Sequence, residues 1–570
     1  MKKKWLLFAI GSALVLIGSG LAALIQTSGG VRIQDVRFDG AGGARMSALL
    51  YVPPNATAQT PAPGVLAVHG YMNSREMQGP FAIEFARRGY VVLALDQMGH
   101  GNSSPPAFAN GFGGPDGLKY LRSLPFVDKN NIGMEGHSMG GWAVLAAAAA
   151  MPDGYKSLIL NGSSTGKPFA ADGTPTWPRN LALAYARYDE FAPFFWGVPD
   201  ARKVNESKKL AAVFGLTGNI EPGKVYGSIE AGTARVLFQP SETHAQNHLS
   251  RETVGHTIDW FQRTLAGSKP LPATDQVWLW KEIGTLVALA GFIVLLLGTF
   301  QVLLTTRWFA GLAASVPVHQ GIERTPRWWL AFALTTLIPA LTFFPLTGFG
   351  RAFMPATIWL PQEITNWIMA WALGNALLIF VLARFFRGGA VRFDVKIGPA
   401  VGIALATVAV GYVALLLVEA VFAVDFRYWV VTVQPMNGKQ FVVFLIYLIP
   451  FTGYFLIALR ALHSTLPLDG AVGARHYLVN AAALALGFGA FLAIEYGTLF
   501  ATGALILPTG NPLEALITII GIQFLVLLPL VGVISTFTYA RTNSYVPGAL
   551  ICGLFVTWYI VASQATQAPI

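Results

Sequence analysis

The chain has 570 residues, with Lys+Arg 39 against Asp+Glu 29, a formal charge of +10 and a pI near 9.5. Only 12% of the residues are charged and 54% are hydrophobic, against about 25% and about 45–50% in ordinary soluble domains, which excludes a disordered chain and argues against one that is soluble throughout. Of the acidic residues 19 fall in residues 1–272 and 10 in residues 273–570, so the composition reads as a soluble protein followed by a membrane protein.

In chain order, Lys2, Lys3 and Lys4 precede an uncharged stretch over 5–25, which matches the ~20 residues a helix needs to cross a bilayer. A secretory signal has a shorter apolar region of about 7–15 residues. Residues 1–30 therefore read as a retained anchor in preference to a cleaved signal, and either places the next segment outside the cytoplasm.

From 31 to 266 short β-branched runs alternate with helical stretches, which predicts an open, mostly parallel sheet covered by helices. Strands are expected near 31–38, 47–52, 64–69, 90–95, 131–136, 156–161, 181–186 and 234–239. A polar, Pro-containing linker, GSKPLPATDQ at 267–276, leads into an all-helical polytopic half over 277–570. Apolar segments there lie at 277–303, 328–348, 364–383, 398–423, 440–459, 476–498, 514–537 and 546–564, giving nine candidate spans with the anchor.

Cations in the short loops sort to one side of these spans. With a cytoplasmic N-terminus, that side holds Lys2, Lys3, Lys4, Arg307, Arg324, Arg327, Arg384, Arg387, Arg392, Lys396, Arg460, Arg475 and Arg541, and the other holds Arg351, Arg427 and Lys439. Thirteen against three predicts a multi-pass protein of the cell membrane with the 31–266 domain extracytoplasmic. The basic balance thus reports membrane orientation, and no basic, aromatic-interleaved stripe points to nucleic acid. The single Cys552 permits neither a disulfide framework nor a thiolate metal site.

Chemistry concentrates around Ser138, the centre of Gly136-His137-Ser138-Met139-Gly140. The β-type run NIGMEG precedes it and the helix-type run GWAVLAAAAAM follows, the context of a nucleophile elbow. VLAVHGYMNS follows the third strand, LALDQMGHGNSS the fourth, AYARYDEF the seventh and QPSETHAQNH the eighth. On these motifs the stretch 31–266 resembles the α/β-hydrolase superfamily, with local wording nearest its esterase, dienelactone-hydrolase and serine-peptidase branches. The helical half resembles no family in the same way.

An unassisted hydroxyl is a poor nucleophile at neutral pH, so Ser138 needs a base. The resemblance implies a His in the loop after the last strand, which is His244, with His248 as the alternative. It implies a carboxylate after the seventh strand to orient and charge-stabilise that His, which is Asp189, with Glu190 as the alternative. It also implies backbone N–H donors on Met139 and Tyr71 for the oxyanion. Asp96 reads as a turn cap, and His69, His100 and His137 as local loop residues.

No HExxH, CxxC, EF-hand loop, P-loop or GxGxxG is present, so neither metal nor cofactor is implied. The cluster FAPFFWG after the acid loop reads as core or pocket lining, or alternatively as a surface dipping into the bilayer interface. Among the spans, Glu419 and Glu495 stand out, because a carboxylate in a bilayer is expensive and functional by default; both are expected beneath the first domain and able to couple it to the spans. The reading is a membrane-embedded serine hydrolase that cleaves an ester or other acyl bond. Its partners would be the bilayer and a small-molecule or lipid-like acyl substrate, and its oligomeric state is left open. The alternatives are a membrane-bound serine peptidase, and a transporter or sensor that uses the same fold for binding.

Overall fold

The computed structural model describes residues 2–382, 384–385, 396–507 and 512–569. Arg387 and Arg392, counted above on the cation-rich side, lie outside the described residues.

The sheet has eight strands: β1 (Arg32–Asp39), β2 (Arg45–Val52), β3 (Ala62–Val68), β4 (Val91–Asp96), β5 (Val127–His137), β6 (Ser157–Asn161), β7 (Leu181–Ala184) and β8 (Arg235–Phe238). Their order is β1-β2-β4-β3-β5-β6-β7-β8, with β2 antiparallel to both neighbours and the rest parallel. The largest departure from expectation is β5, which begins at Val127: that residue pairs with Ala62 ahead of a register shift, and the polar residues 128–130 are carried inside the strand.

Side chains alternate across a strand, and here both faces are covered. Leu66 and Val68 of β3 join a core with α3 (Gly114–Ser123) and α4 (Met139–Ala150), while Val65 and Ala67 join one with α2 (Gly79–Arg87) and α7 (Arg251–Thr264). Two short helices, α5 (Ala192–Trp196) and α6 (Lys208–Phe214), lie between β7 and β8.

Among the described residues, eight helices are long and apolar enough to cross a membrane: α1 (Lys2–Gln26), α8 (Trp278–Leu303), α11 (Glu363–Leu382), α12 (Ile397–Phe422), α13 (Gly438–Thr465), α14 (Ala474–Thr502), α15 (Pro512–Thr542) and α16 (Val546–Ser563). The segment expected as a span at 328–348 is a pair, α9 (Pro326–Leu341) and α10 (Phe343–Phe353), that is apolar enough to cross as one span but is bent by 41°. Pro339 and Pro345 flank the break and remove backbone N–H groups on either side of it. Helix α1 packs closely along α8 on small residues. A Cβ on Gly291 would stand 2.7 Å from Leu14 Cβ, and one on Gly284 would stand 2.7 Å from the Gly18 carbonyl oxygen, the close backbone approach that small residues permit between helices in lipid.

Loops at the C-terminal ends of the parallel strands rest on the helical half. Ala107 N–H donates to Thr566 O (2.8 Å), Thr566 N–H to Gly99 O (2.9 Å) and Asn437 Nδ2 to Gly101 O (3.0 Å). Between α12 and α13 a hairpin pairs Phe426–Tyr428 with Val431–Val433, setting Arg427 opposite Thr432. Helix α8 is joined to the sheet domain through Glu84, whose carboxylate accepts from Val277 N (2.6 Å) and Trp278 N (3.1 Å).

Candidate active site

The turn from β5 into α4 forces Ser138 to φ 52°, ψ −120°, a left-handed conformation that a non-glycine residue holds only where its surroundings over-determine it. The glycines around it show what does so. A Cβ on Gly136 would run into the Gly140 carbonyl, and one on Gly140 into the Val68 carbonyl, so strand and helix approach only with glycine at both places. Ser138 N–H donates to Asn161 O (2.9 Å) and its carbonyl accepts from Ser163 Oγ (2.6 Å), which fixes both sides of the turn. Met139 opens α4, so its N–H belongs to the first turn, whose donors have no intrahelical partner and carry the positive end of the helix dipole.

His244 follows β8 at the start of a short helical turn that Thr243 and Gln246 close by reciprocal capping. Its Nδ1 lies 2.8 Å from Asp189 Oδ2, with both side chains buried. Asp189 Oδ1 accepts from Phe191 N (2.9 Å). The loops bearing Asp189 and His244 are zipped together, Arg187 N–H donating to Pro240 O (2.9 Å) and Tyr188 N–H to Glu242 O (3.0 Å).

Comparison with known proteins agrees with this architecture. The sequence profile described as "alpha/beta hydrolase fold" matches residues 63–193. The sheet domain has the α/β-hydrolase fold. A monoacylglycerol lipase of Mycolicibacterium smegmatis is 29% identical over 220 residues, 35% of this chain and 69% of that protein. The quorum-quenching protein AidA of Acinetobacter baumannii is 34% identical over 122 residues, 20% of this chain and 39% of that one. Among solved structures, the α/β hydrolase GrgF of Penicillium aligns over 41% of this chain and 100% of its own, at 14% identity and a TM-score of 0.30.

In the hydrolase domain the two alternative site residues stand apart from the Asp189–His244 pair. Glu190 turns away from the imidazole: its Oε2 accepts from the backbone N–H of His244 (2.8 Å) and its Oε1 from the hydroxyl of Tyr496 on α14 (2.9 Å). His248 lies against His137, ring centroids 3.9 Å apart, and burial pushes it down to about 3, so it is neutral at pH 7. Burial also disfavours the imidazolium of His244, but the Asp189 carboxylate, its hydrogen bond and nearby Glu190 outweigh it and hold His244 above the ordinary histidine value of 6.5. Burial, and then the charge of Asp189, push Glu190 up to about 7.

Ser138, Met139, His244, Gly70 and Tyr71 line one cavity of about 240 Å³. Phe191, Phe194 and Phe195 line it too while Trp196 is buried beneath, which puts the FAPFFWG cluster in the pocket and core. The cavity is not confined to the hydrolase: Ile364 and Trp367 of α11, Leu516, Ile519 and Gln523 of α15, and Arg427 and Gln434 around the hairpin complete it. Tyr71 lines it and accepts a hydrogen bond from Gln567 near the C-terminus.

Sequence reading passed over these helical-half residues, apart from counting Arg427 among the loop cations. FRYWVVTV has the alternation of a hairpin, but its turn at Trp429 and Val430 holds no Gly or Asn to announce it. Of the two carboxylates singled out in the spans, Glu419 lines a small polar cavity with Asp35, Arg75, Glu76 and Asp425, where the hydrolase meets the helices. Glu495 is taken up by its own loop, accepting from Ile506 N (3.1 Å) and Leu507 N (3.3 Å).

Proposed function

We propose that the protein is a membrane-embedded serine hydrolase that cleaves the acyl bond of an ester with a lipid-like chain. The observation that carries this reading is the 2.8 Å Nδ1–Oδ2 pairing of His244 with Asp189 in the cavity that strained Ser138 also lines. With Nδ1 committed to the carboxylate, Nε2 is the nitrogen left to take the Ser138 proton. Ser138 Oγ attacks the acyl carbonyl, and the amides of Met139 and Tyr71 stabilise the oxyanion. His244 passes the proton to the leaving alcohol, and water then releases the acyl-enzyme by the same steps. None of these steps requires a cofactor.

Three features support a lipid-like substrate: the aromatic and aliphatic wall of the cavity, its continuation between α11 and α15, and the monoacylglycerol lipase among the relatives. The sorting of short-loop cations supports a hydrolase domain outside the cytoplasm. The close packing of α1 on α8 supports α1 as a retained first span. A fluorophosphonate probe tests the reading. Full-length wild-type protein should be labelled at Ser138 and Ser138→Ala should not; a wild type that resists the probe would sink it.

Because the reaction uses neutral His244, activity should be lost as pH falls. With the imidazole held above 6.5 by its carboxylates, the acid limb of kcat/KM should have its midpoint above that value, since this parameter reports the free enzyme. Glu190→Gln removes one of the raising charges and should move the midpoint down. A midpoint that stays in place would show that Glu190 does not act on the base.

A further inference from the structure

Each catalytic loop of the hydrolase domain is hydrogen-bonded to a different residue of the helical half. In the loop that carries Tyr71, Ser74 Oγ accepts from Arg427 Nη2 (2.9 Å) and lies 3.0 Å from Gln434 Oε1. In the base loop, Ala245 O, next to His244, accepts from Trp429 Nε1 (2.8 Å). In the acid loop, Glu190, next to Asp189, accepts from the Tyr496 hydroxyl (2.9 Å). Arg427 is itself locked in place: it is 1% exposed, bonded to Asp425 at 2.6 Å and within 3.7 Å of Glu76, which is also held by Arg75 at 2.9 Å and by Ser74 Oγ at 2.6 Å.

We infer that the helical half completes the active site, with Arg427, Trp429 and Tyr496 as positioning residues that hold the oxyanion, base and acid loops in register. The inference rests on the serine-hydrolase reading and gives the spans a part in catalysis beyond anchorage. Three bonds from two separate segments, the hairpin and α14, converge on three loops separated in the hydrolase sequence. A rigid-body docking contact would need only some of them, and none beside the catalytic residues. A misplacement of about 1 Å at a catalytic group can cost about 100-fold in rate, so loops carrying such groups benefit from fixed partners.

Tyr496→Phe deletes one donor and keeps the ring, and Trp429→Phe deletes one donor and keeps a smaller aromatic ring in its place. In detergent-solubilised full-length protein, with fluorophosphonate titration counting competent Ser138 sites, each variant should turn over a 4-nitrophenyl butanoate ester with kcat per titrated site reduced about 3- to 10-fold, the effect of one hydrogen bond. KM should stay within about twofold. The double variant should depart from the product of the two losses, because Glu190 also accepts from His244 N–H and both bonds therefore bear on the same residue. Unchanged kcat per site in both variants overturns the inference, as does a loss confined to the number of sites, the mark of a merely structural role. A wild type that turns over and labels while the variants equal it defeats this inference alone. A wild type that does neither defeats the serine-hydrolase reading and the inference with it.

Discussion

Replacing Asp189 by Asn is expected to lower kcat on a soluble ester about 10⁴-fold, while Glu190→Gln costs less than about tenfold. Asn keeps the shape of the carboxylate but offers an N–H where His244 Nδ1 needs an acceptor, so the imidazole is turned to the wrong tautomer and the imidazolium loses its counter-charge. Glu190 bonds the backbone N–H of His244 and the Tyr496 hydroxyl, so its amide preserves an oxygen for one bond and, while it shifts the titration of the imidazole, leaves the Asp189–His244 hydrogen bond in place. The comparison is made on purified protein with one ester and thermal stability measured in parallel. Equal losses at both positions would show that the pair acts as one acidic patch, and a larger loss at Glu190 would exchange their roles.

What could be read from the sequence was whatever a local pattern encodes. The strands were legible because runs such as VVLALD and LILN are short, apolar and bounded by turn residues, and both faces of the sheet are buried. Ser138 was legible because an elbow demands glycines at fixed offsets, and the Gly136 and Gly140 contacts show that requirement directly. His244 and Asp189 followed from their places after β8 and β7.

The helical half's share in the site was not legible. Trp429 bonds Ala245 across 184 positions, Tyr496 bonds Glu190 across 306, and Arg427 bonds Ser74 across 353, separations that no periodicity records. Arg427 entered the sequence reading only as one of three cations on the sparse side. Glu495 drew notice because a carboxylate in an apolar segment is costly. Its satisfaction by two loop N–H groups depends on how the chain turns after Gly503, which composition does not reveal.

Ile519→Trp should separate long acyl chains from short ones. Leu516, Ile519 and Gln523 recur at helical spacing on α15 and all line the cavity, as do Ile364 and Trp367 three apart on α11, so one stripe from each helix faces the space beyond Ser138. About 240 Å³ lies just below the range of small-molecule pockets, about 300–1,000 Å³, so an acyl chain must use the part between the helices once it outgrows the aromatic wall of the hydrolase. Ile519 is 8% exposed, and an indole there has no solvent to escape into and must occupy that part. Methylene-sized changes in an apolar pocket shift selectivity about 10- to 200-fold. Accordingly, kcat/KM for a dodecanoyl ester should fall in that range while a butanoyl ester changes less than about threefold. The split distinguishes occlusion from general damage, which lowers both alike. If both esters keep their wild-type rates, the chain runs elsewhere, and the wall formed by Phe191, Phe194 and Phe195 would be the next place to seek it.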